Sequence, residues 1–176
     1  MSLEQLFKPR FACVLIALGC ISLLCIGIYL QESLGLEPCP MCIVQRYAFI
    51  LIALCTALSG SMNSHSPKSF WILCVLAQLS AAFGAFVAAR QSWLQWFPPE
   101  TQSCGRDLYG MIENFPLKRA IPMIFRGSGD CSVVDWTFLG GSIANWSYLC
   151  FLLIVTYLAI VQVKAYKNSR KASMVS

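Results

Sequence analysis

The residues of this chain best suited to chemistry are four of its ten cysteines, namely Cys39, Cys42, Cys104 and Cys131. The first two form a Cys-x-x-Cys motif, and all four lie outside the long apolar stretches that hold the other six. In an oxidising compartment cysteines form disulfides, and an exchangeable disulfide carries electrons from one protein to another. The four residues therefore suggest thiol–disulfide chemistry.

The Cys-x-x-Cys motif precedes an apolar stretch that predicts a helix beginning near Cys42. The unpaired N–H groups and the positive end of the helix dipole would stabilise a thiolate at Cys42. Arg46 is four residues further on, on the same helical face, and adds a fixed positive charge. A charged side chain at membrane depth is costly unless it has a partner or a function, although Arg46 could also extend to the lipid headgroups. We interpret Cys42 and Arg46 as one site.

The second cysteine pair, Cys104 and Cys131, lies in one predicted loop. Gly105 follows the first sulfur and Gly127 and Gly129 precede the second, which favours a movable backbone. The spacing alone fits a stabilising disulfide as well as a reactive one. The four cysteines together could also form a zinc site, but only one Cys-x-x-Cys pair is present and the compartment favours oxidation, so no metal is expected.

Composition indicates a membrane protein. The 176 residues are 57% apolar and only 12% charged, whereas about a quarter of a soluble domain is charged. Stretches without Asp, Glu, Lys or Arg occur at residues 11–31, 47–67, 69–89 and 136–163. Crossing a bilayer takes roughly 20 apolar helical residues. With a polar turn after Ser59 taken into account, we predict transmembrane helices at about residues 11–31, 42–59, 69–89 and 145–163.

These helices predict an all-α, up-down-up-down bundle that makes residues 1–176 a single membrane domain. Loops at about 32–41 and 90–144 face the outer side, and the loop at about 60–68 faces the cytoplasm together with both termini. Basic residues assign the cytoplasmic side: Lys8, Arg10, Lys68, Lys164, Lys167, Arg170 and Lys171. The net charge of +5 therefore reflects topology, and no nucleic-acid partner is expected.

The remaining cysteines are expected to pack as small apolar side chains in the helices. They are Cys13, Cys20, Cys25, Cys55, Cys74 and Cys150. Tryptophans near the predicted outer helix ends, including Trp93, Trp96, Trp136 and Trp146, fit the headgroup region first and a ligand site second.

Four motifs together identify a resemblance that covers nearly the whole chain. They are Cys-x-x-Cys-x-x-x-Arg at residues 39–46, Arg-Gln-x-Trp-Leu-Gln at 90–95, Ser-Gly-Asp-Cys at 128–131 and Trp-x-Phe-Leu-Gly at 136–140. With this topology and cysteine order, the chain resembles the DsbB family of bacterial disulfide bond formation proteins.

The resemblance implies a thiol:quinone oxidoreductase of the bacterial inner membrane, whose partner is a periplasmic DsbA-like dithiol protein. It pairs Cys39 with Cys42 and Cys104 with Cys131 as disulfides, with Cys104 attacked by the partner and Cys131 then attacking Cys39. Cys42 and Arg46 would lie beside the quinone, ubiquinone or menaquinone, in a protein expected to be monomeric. Gln91 stands where other members carry a histidine, so a hydrogen bond near the quinone is expected from it but no proton transfer.

Two other functions fit part of the pattern. A vitamin K epoxide reductase-like enzyme also has a membrane Cys-x-x-Cys, but here the motif opens helix two and the long loop lies between helices three and four. A tetraspan scaffold braced by structural disulfides leaves Arg46 at membrane depth without a role.

Overall fold

The computed structural model describes residues 8–35, 38–61, 67–98, 134 and 136–175. Within these ranges the chain forms helices α1 (Pro9–Leu34), α2 (Pro40–Ser61), α3 (Pro67–Trp96) and α4 (Ile143–Val175). Strands β1 (Thr137–Phe138) and β2 (Gly141–Ser142) form a small antiparallel hairpin directly before α4. Each helix is long and apolar enough to cross a membrane, which confirms the predicted four-helix membrane fold.

Local sequence explains where the helices begin and end. Proline is well suited to the first turn of a helix because its missing N–H needs no partner there, and Pro9, Pro40 and Pro67 each begin a helix. The first helix ends at Gly35, which adopts the left-handed conformation (φ 63°) and donates its N–H to the carbonyl of Gln31. This turn leads the chain towards the Cys-x-x-Cys motif.

The helices pack in sequence order, α1 on α2, α2 on α3 and α3 on α4, while α1 and α4 are in much less extensive contact. The packed face of α3 is built from small residues, which let helix backbones approach closely inside a membrane. They are Ala77, Ala81, Gly84, Ala85 and Ala88. Large apolar side chains elsewhere on the helices, such as Leu18, Leu79 and Leu153, are exposed and suit a lipid environment.

The helices differ from their predicted lengths mainly beyond the apolar stretches. The third helix continues to Trp96, past Arg90, and the fourth begins at Ile143 and continues past Lys164 to Val175. Charged residues end the membrane-compatible stretch but not the helix, because backbone hydrogen bonding continues into the polar region. The hairpin and the end of α3 fall within the predicted loop at 90–144, and most of that loop lies outside the described residues.

Candidate functional site

The Cys-x-x-Cys motif lies at the first turn of α2, as its sequence predicts. Cys39 is buried and Cys42 is partly buried, and their sulfurs form a hydrogen-bonded pair 2.8 Å apart. The backbone N–H of Cys42 also donates to the sulfur of Cys39 at 3.3 Å. A disulfide has a sulfur–sulfur bond of about 2.05 Å. The two sulfurs therefore need to move less than about 1 Å to bond, so this backbone suits both the dithiol and the disulfide.

An amide side chain from α3 contacts both sulfurs. Gln91 donates from Nε2 to the sulfur of Cys39 at 3.3 Å and to that of Cys42 at 3.2 Å. Its Oε1 accepts a hydrogen bond of 2.7 Å from Nε2 of Gln45, which lies one turn after Cys42 on α2. Both glutamines are 4% exposed. The pair thus forms a buried amide bridge from α2 through α3 to the sulfurs.

Arg46 connects α2 to α1 beside this bridge. Its Nη1 donates to Oε1 of Gln31 at 2.7 Å, near the end of α1. Glu32 is the one carboxylate within the described residues, and the structure shows no ion pair between it and Arg46. A guanidinium has five N–H donors, so the bond to Gln31 leaves donors for another acceptor. Arg46 is therefore positioned as a cation whose described partner is neutral.

Cys39, Cys42, Gln91 and Arg46 all line one cavity of about 440 Å³. Apolar side chains of α1 and α4 form much of its wall, and Phe49 closes it on the α2 side. Residues of both α1 and α4, two helices that make little contact with each other, line the cavity. A mostly apolar space with a few convergent N–H donors is typical of a site for a small organic molecule.

The hairpin before α4 forms the outer wall of this cavity. Trp136, Phe138 and Trp146 all line it, with ring centroids 6.0 Å apart for each of the two neighbouring pairs. The indole N–H of Trp146 donates to the carbonyl of Phe138 at 3.0 Å, which fixes the hairpin to α4. Two positive φ angles, 49° at Leu139 and 79° at Gly140, form the tight turn.

Ser142 attaches the same hairpin to α3. Its hydroxyl donates to Oε1 of Gln95 at 2.6 Å and accepts the backbone N–H of Asn145 at 3.3 Å. The second contact caps the N-terminus of α4. One serine therefore joins the hairpin, α3 and α4 around the cavity.

Comparison with known proteins identifies the family. The family model described as disulfide bond formation protein DsbB matches residues 9–161. Disulfide bond formation protein B of Paracidovorax citrulli is 59% identical over 163 residues, covering 92% of this chain and 91% of that protein. The protein of the same name from Polaromonas naphthalenivorans is 61% identical over 154 residues, covering 88% and 91%. The chain belongs to the DsbB family.

Membership in the DsbB family confirms the resemblance inferred from the sequence motifs and supports a role in disulfide bond formation. The structure places Cys39, Cys42, Arg46 and Gln91 around one cavity in this DsbB-family chain, and their roles stay predictions. Cys104 and Cys131 lie outside the described residues, so their pairing and roles stay predictions. The Cys39–Cys42 disulfide also stays a prediction, because the structure shows the two sulfurs as a hydrogen-bonded pair.

Sequence reasoning missed Gln45 and the hairpin contacts. A polar residue near the start of an apolar membrane helix, three residues after Cys42, is a signal that could have identified Gln45. Of the helix cysteines expected to be inert, Cys13, Cys20, Cys55 and Cys74 are buried and Cys25 is exposed, but Cys150 lines the cavity. Trp136 and Trp146 line the cavity as well, whereas Trp93 and Trp96 are exposed side chains away from it.

Proposed function

We propose that this chain oxidises a periplasmic DsbA-like dithiol protein and passes the two electrons to a membrane quinone, ubiquinone or menaquinone. The proposal depends chiefly on one observation, that the sulfurs of Cys39 and Cys42 line an apolar cavity together with Arg46. A cysteine pair whose disulfide only stabilises the fold does not need such a cavity. Family membership supports the disulfide chemistry, and the cavity supports a quinone as the electron acceptor.

The residues of the cavity fit a quinone. A quinone has a flat ring, two carbonyl oxygens that accept hydrogen bonds, and a long apolar tail. Arg46 supplies N–H donors to the cavity that the sulfurs also line, and Trp136, Phe138 and Phe49 supply flat apolar walls. The volume of about 440 Å³ is in the range typical of small-molecule sites, roughly 300–1,000 Å³.

The bundle also favours a route of entry from the bilayer. The contact between α1 and α4 is much less extensive than those between helices that are neighbours in sequence, and Leu23 and Ile26 of α1 line the cavity together with Ser147 and Cys150 of α4. A ligand with an apolar tail can therefore keep its tail in lipid while its ring reaches Cys42. The soluble partner has no such route, so a second cysteine pair is needed to connect the two.

Basic residues support the proposed orientation in the inner membrane. The antiparallel helices place Lys8 and Lys68 at the end of the bundle opposite Cys39, and Lys164 and Lys167 follow the apolar part of α4 at the same end. Positive residues favour the cytoplasmic side. In this orientation both termini are cytoplasmic, and Cys39 and Cys42 lie at the periplasmic face.

In the proposed relay, a thiolate of the reduced partner attacks Cys104 of the Cys104–Cys131 disulfide and releases the Cys131 thiolate. Cys131 attacks Cys39, breaks the Cys39–Cys42 bond and releases the Cys42 thiolate. Cys131 is three positions before Val134, which lines the cavity, and three residues of extended chain reach about 10 Å. Chain length thus supports this exchange.

The second half of the relay restores each pair. The partner's second thiolate attacks the bond to Cys104, which leaves the partner oxidised, and the Cys104 thiolate attacks Cys131 and releases Cys39. The thiolates of Cys39 and Cys42 then lose two electrons and re-form their disulfide. A bound quinone supplies the acceptor of the two electrons and, with two protons, becomes the quinol. Gln91 donates to both sulfurs, and Arg46 lines the same cavity.

The test is to mix the purified protein with a reduced DsbA-like protein and a soluble quinone and to measure quinol and partner disulfide together. We expect equal amounts of the two products, and loss of turnover in Cys42→Ala and Cys104→Ser. Cys25→Ala is the matched control, because Cys25 is exposed and is not among the residues that line the cavity. Turnover that survives Cys104→Ser would contradict the relay, and partner oxidation without quinol would contradict the acceptor.

A further inference from the structure

The strongest unassigned feature of the site is the buried amide pair formed by Gln45 and Gln91. Gln91 has two N–H donors and one carbonyl acceptor, and the structure uses all of them: the donors contact the two sulfurs and the acceptor contacts Gln45. Neither glutamine carries a charge or can transfer a proton at neutral pH. The arrangement of the two amides therefore acts on the sulfurs through hydrogen bonds.

Orientation is the property that Gln45 controls. An amide can present either N–H groups or an oxygen to its neighbour, and rotating the Gln91 amide by half a turn would place its oxygen against the sulfurs. The 2.7 Å bond from Gln45 Nε2 to Gln91 Oε1 favours the orientation in which the N–H groups face Cys39 and Cys42. Both side chains are 4% exposed, so water offers little competition for these donors.

We propose that Gln91 stabilises the thiolate of Cys42 through its N–H groups, and that Gln45 is the positioning residue that keeps those N–H groups directed at sulfur. An N–H donor favours the charged form of an acceptor, and the effect is strong where solvent is excluded. This inference deepens the proposed function, because the Cys42 thiolate is the group released beside the quinone. It assigns Gln91 to the sulfurs, whereas the sequence suggested a hydrogen bond near the quinone.

Stabilisation of the Cys42 thiolate by Gln91 would assist the proposed thiol–disulfide exchange. Cys42 is expelled as a leaving group when Cys39 is attacked, and a stabilised leaving thiolate departs faster. Arg46 donates to Gln31 in this structure, whereas the backbone N–H of Cys42 and the Gln91 amide both donate to sulfur. Gln91 belongs to α3, so its contact couples thiolate stability to the packing of α3 on α2.

The experiment measures the rate of iodoacetamide alkylation at Cys42 against pH, resolved by peptide mass mapping, in the reduced full-length protein without partner or quinone. Gln91→Met keeps the length of the side chain but removes its N–H groups. A hydrogen bond to a charged acceptor corresponds to about one pK unit or more. We expect the midpoint of the pH profile to rise by about one pH unit, roughly a tenfold lower thiolate fraction at pH values below it.

Three further variants make the result specific. Gln91→His keeps an N–H donor and should restore most of the wild-type profile. Gln45→Met leaves Gln91 in place without its orienting donor and should raise the midpoint by a smaller amount. Gln95→Met is the matched control. It also removes a glutamine amide from α3, one turn after Gln91, but the Gln95 amide contacts Ser142 and not sulfur. Its midpoint should stay at the wild-type value.

An unchanged midpoint in Gln91→Met, or an equal rise in Gln95→Met, would overturn the proposal for Gln91. An unchanged midpoint in Gln45→Met would overturn the positioning role. If Gln91→Met does not fold, Gln91→Glu retains size and polarity without an N–H, and Gln95→Glu becomes its control for added charge. Since no quinone or partner is present, a failure here is distinguishable from a failure of the relay, which is measured by quinol formation.

Discussion

The ring of Phe151 lies directly against the backbone of Gly84, in the space where a side chain would begin. A Cβ on Gly84 would stand 2.5 Å from two carbons of this ring. Phe151 is fully buried and stacks on Phe49, with ring centroids 4.0 Å apart and planes 12° from parallel. Phe49 in turn lines the cavity. The absence of a side chain on Gly84 therefore sets how closely α4 and α2 approach α3 beneath the site.

Gly84→Ala should destabilise the protein. The added methyl group must displace a buried aromatic ring that also stacks on Phe49, and overpacking of this kind costs about 1–3 kcal/mol. Gly19→Ala is the matched control, because nothing lies within 4 Å of a Cβ at Gly19. Reversible denaturant unfolding in detergent measures both. An equal stability for the two variants would show that Phe151 can move aside at no cost.

Removal of the Arg46 guanidinium should weaken quinone binding. Arg46 lines the cavity, and Gln31 occupies one of its donors. Loss of a hydrogen bond to a quinone oxygen corresponds to about 1 kcal/mol, which predicts roughly a fivefold increase in KM for quinone in Arg46→Met. Arg46→Lys should recover only part of this, because an ammonium lacks the planar fork of donors.

The control for that measurement is Arg90→Met, since Arg90 lies beside Gln91 in the sequence but does not line the cavity. Its KM for quinone should stay within about twofold of the wild-type value, which is less than the effect of one hydrogen bond. The same KM in Arg46→Met and in Arg90→Met would exclude Arg46 from the quinone site.

Ser142→Ala should loosen the start of α4. The substitution removes the cap on the Asn145 N–H and leaves Gln95 Oε1 without its donor, and the loss of a helix cap costs about 1 kcal/mol. The free energy of unfolding should fall by about that amount. Ser80→Ala is a suitable control, because Ser80 bonds only the carbonyl of Leu76 within its own helix. A decrease no larger than that of Ser80→Ala would mean that α4 does not depend on this cap.

Hydropathy and motif spacing predicted the helices and the joint position of Cys39, Cys42 and Arg46, because both follow from local sequence. Membrane helices need long apolar stretches, and residues four apart on one helix share a face. The contact of Gln91 with the sulfurs depends on how α3 is rotated against α2, which small residues such as Ala88 control through packing. A contact between two helices of this kind produces no periodic pattern in the sequence, so the sequence could not predict it.

The hairpin was missed for a related reason. Its turn places Leu139, an 82% exposed leucine, at φ 49°, a conformation that leucine rarely adopts and that no sequence rule would assign to it. Contacts of the flanking residues hold it there: the Phe138 carbonyl accepts the Trp146 indole N–H, and Ser142 binds Gln95. The conformation of this segment thus depends on contacts with α3 and α4, which the sequence of the hairpin alone does not reveal.

Tryptophan fluorescence should report quinone binding at the proposed site. Trp136 and Trp146 line the cavity, whereas Trp93 and Trp96 are exposed elsewhere. A quinone ring in contact with an indole quenches its emission, so a soluble quinone should quench the wild-type protein with a saturable dependence on concentration. Trp146→Phe should lose a large part of this saturable quenching.

Trp96→Phe is the control for the fluorescence experiment, and it should keep the saturable quenching because its side chain lies away from the cavity. Trp146→Phe also removes the indole bond to the Phe138 carbonyl, so its unfolding curve must be compared with that of the wild type. If the two curves agree and the quenching is nevertheless the same in Trp146→Phe and in Trp96→Phe, the quinone binds outside this cavity. In that case Cys42 and Arg46 would have to reach their electron acceptor at another surface of the bundle.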